Sequence, residues 1–123
     1  MTVRIGTGFD VHAFGEGDFI ILGGEKISHS QGLIAHSDGD VLLHAVTDGL
    51  LGAIGAPDIG QLFPNDDARN ESEDSRVFLE EAVKRVADRG YGVVNLDVTV
   101  ICERPKLSGY KELMRGNVAA GLG

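Results

Sequence analysis

Eighteen of the 123 residues are glycine, about twice ordinary usage, and they follow no fixed period. A collagen-like chain needs strict repetition and a low-complexity chain needs depleted apolar content, so both are excluded. The glycines instead close apolar runs or stand in pairs, where a backbone turns or approaches another closely. Such a chain must fold as short elements joined by tight connections. Hydrophobic residues at 42% and charged residues at 24% give it an ordinary core and surface. Its length suits one domain, able to bury about two-thirds of the surface its unfolded chain exposes.

The elements follow from periodicity and punctuation. Residues 3–9, Val-Arg-Ile-Gly-Thr-Gly-Phe, alternate in part and read as a strand running into a loop. Residues 19–22 and 25–28 flank Gly23-Gly24, the two-residue connection of a tight hairpin. Ser37 or Asp38 is the expected N-cap of a helix whose Leu42, Leu43, Val46, Leu50 and Ile54 recur at helical spacing. That helix ends at Gly52 or Gly55. Residues 56–71 form a long loop holding two of the three prolines and several acids, and loops of that length in small domains are usually functional. Ser72 or Asp74 then caps a second helix with a core face of Leu79, Ala82, Val83 and Val86, closed by Gly90. Val94, Leu96, Val98 and Val100 alternate with Asn95, Asp97 and Thr99, the pattern of a strand with one buried face. Residues 110–120 form a third helix. The expected class is α/β (α+β): one domain with a mixed sheet and helices packed on one face.

Charge and composition exclude several functions. Eleven basic against nineteen acidic residues leave a formal net charge of −8, the wrong sign for a nucleic-acid backbone binder. No apolar run approaches the roughly 18–20 residues of a membrane span, and the first residues lack signal-peptide character. The single cysteine, Cys102, permits no internal disulfide, which suits a reducing compartment.

Chemistry concentrates around three histidines. In Asp10-Val11-His12 two ligand types stand two residues apart, which in extended backbone puts them on one side. His44 lies on the first helix between Asp40 and Asp48, each four residues away, as one polar stripe. Two ligands from a strand end and one from a helix leave a fourth position open, the pattern of catalytic rather than structural zinc. Asp40 or Asp48 is the expected acceptor for the far nitrogen of the His44 ring. The competing reading is a salt-bridged surface His12 and a hydrogen-bonded core His44. His36-Ser37 at the start of the helix, with free backbone amides, makes a phosphate seat or an ordinary cap. Asp58-Ile59-Gly60 and Phe63-Pro64-Asn65-Asp66-Asp67 put acids beside an aromatic, suited to polyol hydroxyls or to a solvated loop. Cys102-Glu103-Arg104-Pro105-Lys106 closes the last strand, where ligand-binding groups often emerge. Lys106 can neutralise a phosphate there. Cys102 itself has no Cys-x-x-Cys partner and no activating base, and reads as a small core residue.

Together these segments resemble the 2-C-methyl-D-erythritol 2,4-cyclodiphosphate synthase family, lyases of the non-mevalonate isoprenoid pathway. The match rests on residues 8–12, residues 35–40 through His44-Ala45-Val46-Thr47-Asp48, Asp58-Ile59-Gly60 with Phe63-Pro64, and Asp74-Ser75-Arg76. Residues 95–99 and Pro105-Lys106 extend it over almost the entire chain. The resemblance implies that Asp10, His12 and His44 bind one Zn2+ per subunit, with Mg2+ or Mn2+ as a second cation. It implies that Asp10, Val11 and His12 also face the substrate, and that His36 and Ser37 hold its phosphate end. His36 would in addition steady the transition state. Asp58, Ile59, Gly60 and residues 63–67 would line the methylerythritol pocket, and residues 102–106 the cytidine diphosphate pocket. It further implies a homotrimer with sites at subunit boundaries, in the bacterial cytoplasm or a plastid-type organelle, with no nucleic-acid or membrane partner.

The sequence departs from the family pattern at Asn65-Asp66-Asp67, usually Asp-Thr-Asp, and at Ala56-Pro57, usually Leu-Gly. The resemblance also implies that residues 1–123 lack the family's last strand and helix. That part carries a Thr-Thr-Glu motif supplying a second-metal ligand and a threonine near the reacting phosphate. The implied reaction is intramolecular phosphoryl transfer with release of CMP. It needs no protein nucleophile, in keeping with a sequence that has no Ser-His-Asp or Cys-His arrangement. Two readings compete with it: a zinc-dependent phosphoesterase, and a non-catalytic trimeric module.

Overall fold

The computed structural model describes residues 2–64 and 74–123. Four short strands come first: β1 (Phe14–Gly15), β2 (Phe19–Leu22), β3 (Glu25–Ser28) and β4 (Gly32–Leu33). Four helices follow: α1 (Val41–Ala53), α2 (Ile59–Leu62), α3 (Ser75–Asp88) and α4 (Lys111–Leu122), the last entered through a 3-10 turn at Ser108–Tyr110. The result is a small α+β fold.

β2 and β3 form the expected hairpin, with Ile20 opposite Ile27 and Leu22 opposite Glu25. Its turn uses Gly23 and Gly24 at φ 57° and 78°, and positive φ at both central positions is what a type I′ connection requires. β1 pairs antiparallel with β4 in a separate sheet. Ile20, Leu22 and Ile27 of the hairpin bury against Leu42, Leu43, Val46, Leu50, Leu51 and Ile54 of α1 and its end. α3 contributes Leu79, Ala82 and Val86, and α4 contributes Met114 and Val118. Asn117 ties α4 to the hairpin by donating to the Gly23 carbonyl at 3.0 Å and the Glu25 carboxylate at 2.9 Å.

Several expectations are corrected. The described residues form two separate two-stranded antiparallel sheets and no mixed sheet. Residues 3–9 and 94–100 are not strands, since neither segment enters a backbone ladder. Alternation records an apolar side, whereas a strand also needs a neighbour to pair with. Nor does 94–100 bury one face: Val98 and Val100 pack on the core, while Val94 is 99% exposed. Both segments line one cleft of about 940 Å³ together with Ala45, Gly49 and Ala53 of α1. The N-cap of α1 is Asp40 rather than Ser37 or Asp38, and α4 starts one residue later and runs two further than expected. Asp74 caps α3 by accepting from the Arg76 amide, whereas Ser72 lies outside the described residues.

Candidate metal centre

The approach of residues 6–8 to α1 positions the first ligands. A Cβ on Gly8 would lie 1.8 Å from the Ala45 carbonyl oxygen, and one on Gly6 would lie 1.9 Å from that of Gly49. Only glycine lets this backbone rest directly on the helix. The chain then delivers Asp10 and His12 over His44, while the intervening Val11 points outward and is exposed.

The three side chains close into a triangle. Asp10 Oδ2 lies 3.0 Å from His44 Nδ1 and 3.3 Å from His12 Nε2, and the two ring nitrogens are 3.4 Å apart. Two zinc bonds of about 2.0–2.1 Å at a tetrahedral angle put their ligand atoms about 3.3 Å apart. One carboxylate and two imidazoles at this spacing fit a zinc-sized cation. Burial works to raise the Asp10 carboxyl, but the close approach of His44 Nδ1 and the nearby His12 and His44 rings outweigh it and lower it.

The surroundings differ from expectation. Asp40 does not receive the far nitrogen of His44. Its carboxylate is wholly buried and accepts from the backbone amides of Gly23 (2.9 Å), Gly24 (2.8 Å) and Leu43 (3.1 Å). Asp48 does not receive it either, because it accepts from the Ile59 amide at 2.8 Å and ties α1 to α2. The polar stripe of α1 is therefore divided among three separate tasks. His44 Nε2 faces Ser75 Oγ at 2.7 Å and Ser37 Oγ at 3.2 Å, and Phe78 packs beside its ring. Ser75 was not singled out as a site residue by sequence. Only its inclusion in Asp74-Ser75-Arg76 marked it, since nothing local distinguishes it from a first-turn helix serine.

A model of the YgbB family matches residues 3–123. The chain belongs to the YgbB family. Among its relatives, 2-C-methyl-D-erythritol 2,4-cyclodiphosphate synthase of Pseudomonas aeruginosa is 54% identical over 121 residues, covering 98% of this chain and 77% of that protein. The synthase of Acinetobacter baylyi is 55% identical over 117 residues, covering 95% and 72%. A solved structure of a 2C-methyl-D-erythritol-2,4-cyclodiphosphate synthase superposes with a TM-score of 0.91 at 42% identity, covering 97% of this chain and 79% of that one. Another, solved in a form with CDP bound, superposes at 0.90 and 40% identity, with the same coverage.

In this YgbB-family chain the remaining candidates are spread over several elements. His36 and Ser37 stand half-buried ahead of α1. Asp58 caps α2 in a capping box with Gln61, and Ile59 and Gly60 open that helix. Phe63 packs tilted against Phe78, ring centroids 4.5 Å apart, and Phe78 in turn lies beside His44. Asn65, Asp66 and Asp67 lie outside the described residues. In the last candidate segment the Arg104–Pro105 peptide is cis. Glu103, Arg104 and Lys106 are exposed, and Cys102 is half-buried with its thiol donating to the Arg104 carbonyl. Cys102 is thus a loop residue rather than part of the core. Neither of two clefts, of about 460 and 940 Å³, is lined by Asp10, His12 or His44.

Proposed function

We propose that this chain converts 4-diphosphocytidyl-2-C-methyl-D-erythritol 2-phosphate to 2-C-methyl-D-erythritol 2,4-cyclodiphosphate and CMP. The observation that carries the reading is the closed Asp10–His12–His44 triangle in a chain more than half identical to synthases of that name. In this reaction a phosphate oxygen of the substrate attacks the β-phosphorus of the same molecule, and CMP leaves. The obstacle is repulsion: two unit charges about 4 Å apart at an effective dielectric near 20 cost about 4 kcal/mol. A protein of net charge −8 cannot relieve this by its overall field. A zinc ion held by Asp10, His12 and His44, with Mg2+ or Mn2+ on the diphosphate, would supply the missing positive charge.

The protein's own residues bind and orient. His36 and Ser37 hold the phosphate end of the substrate, and His36 adds a donor where charge develops. Asp58, Ile59 and Gly60, with Phe63, Pro64 and Asn65-Asp66-Asp67, hold the methylerythritol portion, and residues 102–106 hold the cytidine diphosphate. That two-ended grip folds one flexible substrate into a ring-closing pose, drawing on the roughly 7–11 kcal/mol that positioning can contribute. The protein acts as a homotrimer with each site spanning two subunits. Incubation with the substrate, zinc and magnesium, followed by phosphorus NMR, tests the reading. A cyclic diphosphate and stoichiometric CMP are expected. A linear phosphate product would overturn it in favour of a phosphoesterase.

A further inference from the structure

At Nε2 of His44, donor and acceptor follow from the hydrogen bonds of its neighbour Ser75. Ser75 is wholly buried in the first turn of α3. Asp38, which precedes α1, grips it twice: Oδ2 accepts from the Ser75 amide at 2.9 Å and Oδ1 accepts from the Ser75 hydroxyl at 2.5 Å. A carboxylate can only accept, so the single Ser75 proton points at Asp38. The side of Ser75 Oγ that faces His44 Nε2 at 2.7 Å is then a lone pair, and Nε2 must carry the proton. Ser37 Oγ, 3.2 Å from the same nitrogen, is likewise able to accept. The opposite nitrogen, Nδ1, faces Asp10 Oδ2 at 3.0 Å and His12 Nε2 at 3.4 Å. A neutral ring has one proton, so with that proton held at Nε2, Nδ1 turns a lone pair towards the carboxylate, an arrangement that a cation between them satisfies.

We propose that Asp38 and Ser75 are positioning residues that fix the His44 tautomer, holding Nε2 protonated so that Nδ1 stays free to bind the cation. This rests on the zinc reading above and adds the part that prepares the ligand. It also gives a role to the polar end of the α1–α3 junction, where Asp38 ahead of α1, His44 and Ser75 are linked. Only one tautomer of a neutral imidazole offers a lone pair at a given nitrogen. A protein that sets the tautomer beforehand spares the cation that rearrangement, and outer partners of this type are commonly worth 10–100-fold in metal affinity.

Nitrogen-15 NMR of the metal-free protein with labelled histidines, at about pH 9 where imidazoles are neutral, reads the tautomer directly. Signals are assigned against a His44→Gln protein. The wild type is expected to show His44 protonated at Nε2, and Ser75→Ala a mixture of tautomers. Zinc affinity, from chelator competition, should fall about 10–100-fold in folded Ser75→Ala and Asp38→Asn, while Ser75→Thr should restore the wild-type tautomer. A wild-type His44 protonated at Nδ1 would overturn the proposal even if no variant folds. So would wild-type zinc affinity in both folded variants. A wild type with the expected tautomer but no zinc binding would defeat the metal reading instead.

Discussion

His44 carries two duties on one ring, so its removal should separate binding from folding. In His44→Ala one edge of the ligand set is gone, and zinc affinity should fall by more than the roughly 100-fold ascribed to outer partners. CMP formation should vanish with it, while circular dichroism stays native; full turnover by the zinc-depleted variant would refute the assignment. His36→Ala should behave differently, keeping stoichiometric zinc but losing turnover about 10²-fold, as for one preorganised donor. Zinc loss in that variant would mean the ligands are wrongly assigned. Asp40 tests the scaffold. Its carboxylate accepts three backbone amides, and each lost bond to a charged acceptor costs about 1.5–3 kcal/mol. Asp40→Ala should therefore lose at least about 3 kcal/mol in urea unfolding. Burial, working against those three amides, holds the Asp40 carboxyl above its usual 3.8. A raised acid binds its proton more tightly folded than unfolded, so its contribution is greatest below about pH 4 and declines as pH rises through the raised value. The stability gap between wild type and Asp40→Ala should narrow accordingly; a gap that widens above pH 4 would contradict the burial argument. Spacing marked Asp10-x-His12, and the family resemblance joined His44 to it across 34 residues. The Asp38–Ser75 support, 37 residues apart, was not legible, because the resemblance gave neither residue a role and each has an ordinary local one.

At the scale of elements, α1 is the rail on which the site is assembled. It carries His44, its start carries Asp40, and residues 6–8 lie on its surface. The decisive contact is backbone against backbone, so the smallest side chain is already too large. Gly8→Ala should push residues 6–12 off the helix and weaken zinc binding along with stability, although the residue touches no ligand. Unchanged zinc affinity in that variant would show that Asp10 and His12 are held by something else. The hairpin, α1, α3 and α4 were legible because each is specified locally, by a glycine pair or by a 3.6-residue apolar period. Residues 3–9 and 94–100 were misread for the same reason in reverse. Val94, Leu96, Val98 and Val100 announce an apolar side, yet what they face depends on which backbone lies beside them. No local pattern contains that information.

The whole molecule leaves apolar side chains exposed: Ile5 at 89%, Phe9 at 82% and Val94 at 99%. Scattered exposure is ordinary, but these belong to the two extended segments that enter no ladder, and the proposed trimer would give such surface a partner. Among the described residues, Asp10, His12 and His44 make their side-chain and ring contacts with one another, Ser37, Ser75 and Phe78. Complementation tests the proposed sharing of each site between two subunits directly. His44→Ala removes the metal end of every site in its own assembly, and Lys106→Ala weakens the nucleotide end of every site in its own. If a site takes its metal end from one subunit and its nucleotide end from the next, random 1:1 co-assembly leaves about one site in four with both ends intact. CMP formation should then rise above that of either variant alone, towards about a quarter of the wild-type rate, in a species whose sedimentation mass is three chains. Activity that never exceeds the average of the two separate variants, in mixed trimers confirmed by mass, would mean that each site is built within a single subunit.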